Sequence, residues 1–256
     1  MLHPGSSMGT LNRNGEAFMF RLINNTRFVA QNITLDGGVD YIEDASGKVA
    51  FTTSGIPMYG PDSFISRKDG FLFQMTNSPR LTLGDGATLQ NAFTTHMWGG
   101  GAICFGQSAN GAVVTMEAGS RIYRCSSGET ANPNNANDYG GVGGAIAICK
   151  TSGTGNNTIN INGGTIEQCW AQREGGAIYV AKSGNELYLN GATIKDCTAS
   201  HGGGIYLDNK ATGGDYTRDS ASSIHVQGQS PSIPFLIFLF HTTPSFSPDW
   251  SGDNPG

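Results

Sequence analysis

The sequence predicts an all-β fold, a right-handed single-stranded parallel β-helix that forms a three-faced solenoid. Three observations predict it: an excess of glycine, a recurring Gly-Gly-Ala-Ile-type motif, and short alternating strands at matched positions after each copy. Glycine supplies 38 of 256 residues, far above the roughly 7% of an average chain. Charged residues amount to only 14%, where about 25% is usual. No long segment carries the 3.6-residue apolar period of a helical bundle.

The first strand of each repeat follows the glycines. Its copies are Gly99–Phe105, Gly143–Ile148, Gly175–Val180 and Gly202–Leu207, with a weaker one at Gly70–Phe73. Alignment places Ile103, Ile146, Ile178 and Ile205 in one column. The second strand reads apolar-polar-apolar at Leu81–Leu83, Val114–Met116, Ile159–Ile161, Leu187–Leu189 and Ile224–Val226, and Ile33–Leu35 fits as an upstream copy. Period-2 alternation marks a strand with one buried face. The third strand is anchored by Leu89, Ile122, Ile166 and Ile194; three residues on lie Ala92, Cys125, Cys169 and Cys197. From Ile161 to Leu189 is 28 residues, close to a minimal turn of such a solenoid. Longer intervals carry polar insertions at 126–142 and around 208–222, which a solenoid tolerates because loops at a bend leave the ladder intact. Glycine at the bends enters positive φ without steric cost. Outward columns are expected to run Thr34, Thr82, Thr115, Asn160, Tyr188, His225; Cys104, Ala147, Tyr179, Tyr206; and Tyr123, Glu167, Lys195. The expected organisation is an N-terminal arm over 1–15, the β-helix over 16–229 and an irregular tail over 230–256. The tail holds the apolar run Phe235–Phe240 between prolines.

A net charge of −5 with scattered Lys and Arg gives no footprint for nucleic acid. No apolar stretch approaches the ~20 residues of a membrane span, so no membrane insertion by this chain is expected.

The segments Gly164–Cys169 and Ala192–Cys197, each leading to Gly-Gly-x-Ile-Tyr, resemble the pectin-lyase-like β-helix repeats of bacterial surface and adhesin-like proteins. They are also similar to the repeats of chlamydial polymorphic outer-membrane proteins and autotransporter passenger domains. Asn32–Gly38 looks like a common opening of such regions. The resemblance covers roughly residues 16–229 and implies an adhesin-type module at the cell surface or outside the cell. The chain shows neither a signal peptide nor an anchor, so it is expected to be a piece of a longer protein.

The resemblance equally admits a polysaccharide lyase or glycoside hydrolase, because one solenoid carries many functions. Such enzymes need converging carboxylates, calcium, or a basic residue. The densest acidic group is Asp36, Asp40, Glu43 and Asp44, which reads as a solvated loop. The five cysteines contain no Cys-x-x-Cys pair, so no metal site is expected; Cys125, Cys169 and Cys197 are expected as a buried column of free thiols. The histidines are well separated. No catalytic residue and no cofactor is nominated. The candidate ligand-binding residues are Tyr179, Tyr188 and Tyr206, whose rings, set among Asn and Thr, suit a glycan or host surface ligand. Tyr179 and Tyr206 are expected to be adjacent and exposed on one face, with Tyr188 on the next.

Overall fold

A computed structural model describes residues 9–12, 18–53, 56–60, 70–128, 140–149, 155–181, 184–208 and 223–227. Among these the chain is all-β, with no helix. The strands begin with β1 (Gly9–Asn12), β2 (Phe20–Ile23), β3 (Arg27–Ala30) and β4 (Ile33–Asp36). Next come β5 (Phe73–Thr76), β6 (Arg80–Leu83), β7 (Thr88–Gln90) and β8 (Phe93–Thr94). They are followed by β9 (Ile103–Phe105), β10 (Val113–Glu117), β11 (Arg121–Tyr123) and β12 (Ser126–Ser127). A fourth set is β13 (Ile146–Ile148), β14 (Thr158–Asn162), β15 (Thr165–Glu167) and β16 (Trp170–Ala171). The last are β17 (Ile178–Ala181), β18 (Glu186–Asn190), β19 (Thr193–Lys195), β20 (Ile205–Asp208) and β21 (Ser223–Gln227).

These strands form four sheets, each entirely parallel. Three have six strands, ordered β2-β5-β9-β13-β17-β20, β3-β6-β10-β14-β18-β21 and β1-β4-β7-β11-β15-β19. The fourth is the short sheet β8-β12-β16. Sequence neighbours fall in different sheets, and each strand pairs with its counterpart one repeat away.

The register follows the repeat. Phe73, Ile103, Ile146, Ile178 and Ile205 occupy one column. Leu89, Ile122, Ile166 and Ile194 occupy another, as do Leu81, Val114, Ile159, Leu187 and Ile224. One upstream strand differs from expectation. Ile33–Leu35 joins the third-strand sheet, with Thr34 opposite Thr88 and Leu35 opposite Leu89. The position before Thr82 in its column is Val29 instead. Apolar-polar-apolar tripeptides occur in both sheets, so the pattern alone did not separate them. β1 pairs in register with β4, so parallel pairing begins within the stretch expected as an arm. The tail 230–256 and most of both polar insertions lie outside the described residues.

The inward Ile, Leu, Val and Met side chains form one continuous buried core. Phe20, Phe28 and Phe73 fill its N-terminal end, with ring centroids 5.0–5.3 Å apart. The Gly-Gly pairs serve two separate needs. Gly143 takes φ 60°, a region costly for residues with a Cβ. Gly144 has an ordinary φ, but a Cβ there would fall on the carbonyl oxygens of Gly176 and Trp170. The bend after the third strand uses another device: Asn91, Arg124, Gln168 and Asp196 all take φ between 50° and 53°. Asn and Asp enter this region readily; Arg and Gln do so less often. Asparagine also satisfies the bend before the second strand. Asn157 and Asn185 are fully buried, with Asn157 Nδ2 donating to Asn185 Oδ1 at 3.1 Å and Asn157 Oδ1 accepting from the Ala112 amide at 3.0 Å.

Residues 37–53 and 56–60 leave the sheets after β4 and form a strap. Antiparallel bridges Tyr41–Tyr59, Glu43–Val49 and Phe51–Pro57 shape it. Val39, Tyr41, Val49 and Tyr59 pack with Phe93 of the short sheet. The Tyr41 hydroxyl lies 2.6 Å from Ser126 Oγ and donates to the Ala92 carbonyl at 3.1 Å. Further along the stack, Glu43 pairs with Arg124 at 2.5 Å and Lys48 with Asp196 at 2.7 Å.

Candidate functional site

Tyr179 and Tyr206 lie directly opposite each other on β17 and β20. Their rings stack with centroids 5.9 Å apart and an interplanar angle of 6°. The adjacency matches the sequence reading; the exposure does not. Tyr179 is only 1% exposed, and Cys104 and Ala147 in the same outward column are fully buried. Val142 and Trp98, from the segments entering β13 and β9, cover this side of the sheet, forming a second apolar cluster with Ala147, Cys149, Tyr179 and Ala181. The Cys149 thiol donates to the Trp98 carbonyl, fixing part of that cover. A ring enclosed in this way cannot offer its face to a ligand, whereas Tyr206 remains half-exposed.

Tyr188 stands apart from that pair, on the β18 sheet. It lies in register with Asn160, Thr115 and Thr82, all half-exposed. Its hydroxyl donates to Glu186 Oε2 at 3.0 Å. That hydrogen bond to a carboxylate raises its pKa above the ordinary tyrosine value. Beside it, Asn190 Nδ2 donates to Asn162 Oδ1 at 2.9 Å. His225 continues the column by register. The face therefore presents amides, hydroxyls and one aromatic ring at the strand spacing of about 4.8 Å.

The column Tyr123, Glu167, Lys195 is also in register. Glu167 accepts from Arg121 at 2.5 Å and pairs with Lys195 at 2.7 Å. Burial alone would raise the Glu167 carboxyl, but hydrogen bonds and charge from Lys195 and Arg121 hold it below the ordinary glutamate value. The Arg121 guanidinium also lies 3.8 Å from the Tyr123 ring centroid. This is a structural ion network on a half-buried face.

The acidic group at 36–44 is dispersed. Asp36 accepts from Gln90 at 2.7 Å, Asn91 at 3.1 Å and the Gly38 amide at 2.7 Å. Asp44 closes the strap's own turn by accepting from the Ser46 and Lys48 amides at 2.8 and 3.0 Å, and Glu43 faces Arg124. Among the described residues, no group of three or more His, Cys, Asp or Glu is arranged to hold a metal ion.

A cleft of about 370 Å³ opens between strap and stack. Val49, Phe51 and Ile194 give it apolar walls, Lys48 and Asp196 contribute charge, and Cys197 lies on its wall. Sequence reading missed the cleft because the strap looked like a solvated acidic loop. The available signal was Tyr41 and Tyr59, two aromatic residues too many for such a loop. Sheets and faces together define an all-β protein of in-register parallel strands with a polar lateral face. Compared with protein-family models, curated proteins and solved structures, the chain matches none.

Proposed function

We propose that the chain is a right-handed single-stranded parallel β-helix, a three-faced solenoid of the pectin-lyase-like kind that it resembles. In this reading it is a non-enzymatic, adhesin-type module of a longer protein at the cell surface or outside the cell, binding glycan along a lateral face. The observation that carries the reading is the half-exposed row Thr115, Asn160, Tyr188, flanked by the Asn162–Asn190 amide pair. Regularly spaced amides and hydroxyls suit sugar hydroxyls, and an aromatic ring suits the apolar face of a pyranose. The right hand follows the general rule for parallel crossovers.

A glycan array with the purified chain tests this. Binding is expected, and Tyr188→Ala should weaken it about tenfold, the equivalent of about 1.4 kcal/mol, without changing thermal stability by more than a few degrees. Equal binding by wild type and variant would remove this face from the reading. Cleavage of a bound polysaccharide by the wild-type chain would turn the assignment toward a lyase or hydrolase of the same fold.

A further inference from the structure

Cys125, Cys169 and Cys197 precede Ser126, Trp170 and Thr198, which pair successively across adjacent strands. The Thr198 amide donates to the Cys169 carbonyl at 2.9 Å and the Trp170 amide to the Cys125 carbonyl at 3.0 Å. The three residues therefore stand in one column. All are free thiols, and each donates to the carbonyl two residues before it, Cys125 to Tyr123 and Cys169 to Glu167 at 3.4 Å and Cys197 to Lys195 at 3.3 Å, so the thiols share one orientation. Equivalent backbone atoms of adjacent strands are about 4.8 Å apart, within the roughly 4.4–6.8 Å Cα separation that disulfides span. Cys125 and Cys169 are buried, at 0% and 1% exposure. Cys197 is half-exposed and forms part of the wall of the cleft beneath the strap. Cys104 and Cys149 are arranged differently. Cys104 stands opposite Ala147 rather than Cys149, and both thiols are buried.

We propose that Cys197 is a thiol-modification site that reacts with small disulfides entering the cleft, and that Cys169 resolves the adduct into an intramolecular disulfide. The Cys197 thiolate attacks one sulfur of the small disulfide, forms a mixed disulfide and releases one small thiol. The Cys169 thiolate then attacks Cys197 Sγ, closing the Cys169–Cys197 bond and releasing the second small thiol. The two protein thiols lose two electrons, which reduce the small disulfide, and their two protons leave with the released thiols. Burial pushes the Cys169 thiol well above its ordinary pKa. Its thiolate is scarce, so the second step is the slower and the mixed disulfide accumulates first.

The test uses the full reduced chain with oxidised glutathione as the probe, followed by intact mass and peptide mapping. The expected first product is a single glutathione adduct at Cys197, formed more than about tenfold faster than at any other cysteine. It should decay to a species two hydrogens lighter than the reduced chain, cross-linked between Cys169 and Cys197. Cys197→Ser should form no early adduct. Cys169→Ala, or Cys169→Ser should the alanine variant lose its far-ultraviolet circular dichroism, should stop at the mixed disulfide. A first adduct elsewhere overturns the site. A stable adduct in equal yield from wild type and the Cys169 variant overturns the resolving role.

Discussion

At Gly144 a methyl group has nowhere to go. Carbonyl oxygens of the next repeat occupy the space, and they belong to backbone that is itself hydrogen-bonded into the stack. Gly47 in the strap is the opposite case: its φ of 74° is unfavourable for alanine, but nothing lies within 4 Å of an added Cβ. Gly144→Ala should therefore cost about 3 kcal/mol through overpacking, and Gly47→Ala about 1 kcal/mol through backbone strain alone. Urea unfolding midpoints of the two variants should rank in that order; equal midpoints would mean that the repeats can separate to admit a methyl. The sequence makes both glycines look alike, as turn residues. The distinction appears only when an adjacent repeat stands beside each one.

The strap is held by a few specific contacts over a small apolar cluster. Its Tyr41 hydroxyl, at Ser126 Oγ and the Ala92 carbonyl, is buried, and burial raises its pKa well above the ordinary value, so it stays a neutral donor. Tyr41→Phe removes that donor and strips the buried Ser126 hydroxyl of its partner, while the Ala92 carbonyl keeps the Ser126 amide at 2.8 Å; the cost should be about 1–3 kcal/mol. Because few elements lean on the strap, the loss should appear as local opening. Limited proteolysis within 37–60 should accelerate about tenfold, with the global unfolding midpoint lowered far less. An unchanged cleavage rate would show that the apolar cluster suffices. Elements with a period were legible in the sequence: the columns through Ile146, Ile166 and Ile159 needed only alternation and spacing. Elements without one were not. The two-residue strands β8, β12 and β16 are too short to show alternation, and the strap pairs antiparallel inside a parallel molecule. The cover over Tyr179 comes from Trp98 and Val142, single residues in irregular segments. That is why the two tyrosines were placed together correctly and given the wrong environment. Cys197 was expected to share the burial of Cys125 and Cys169; its place on the cleft wall depended on a strap that no repeat announces.

For the molecule as a whole, pairing one repeat apart makes length a variable. Asn162 stands opposite Asn190, 28 residues on, and Gly163 and Gly191 both take positive φ just beyond them. Excising residues 163–190 joins Asn162 to Gly191. β19 then meets β11, β20 meets β13 and β21 meets β14, each in its existing register. The shortened chain should keep its β-type circular dichroism and unfold cooperatively at a somewhat lower denaturant concentration, as nearest-neighbour stacks do. Loss of the β-type circular dichroism in the shortened chain would show that the repeats are not interchangeable. A molecule that grows by repeats also grows in time. Lys48 and its partner Asp196 are separated by 148 residues of chain, so at about 5–20 residues per second a ribosome completes the strap roughly 7–30 s before its far anchor exists. Through that interval Ile42, Phe51 and Met58, which stay partly exposed even in the finished fold, sit on a strap that cannot yet make its last contact. The order of synthesis thus makes the strap a part of the molecule that is built early and secured late.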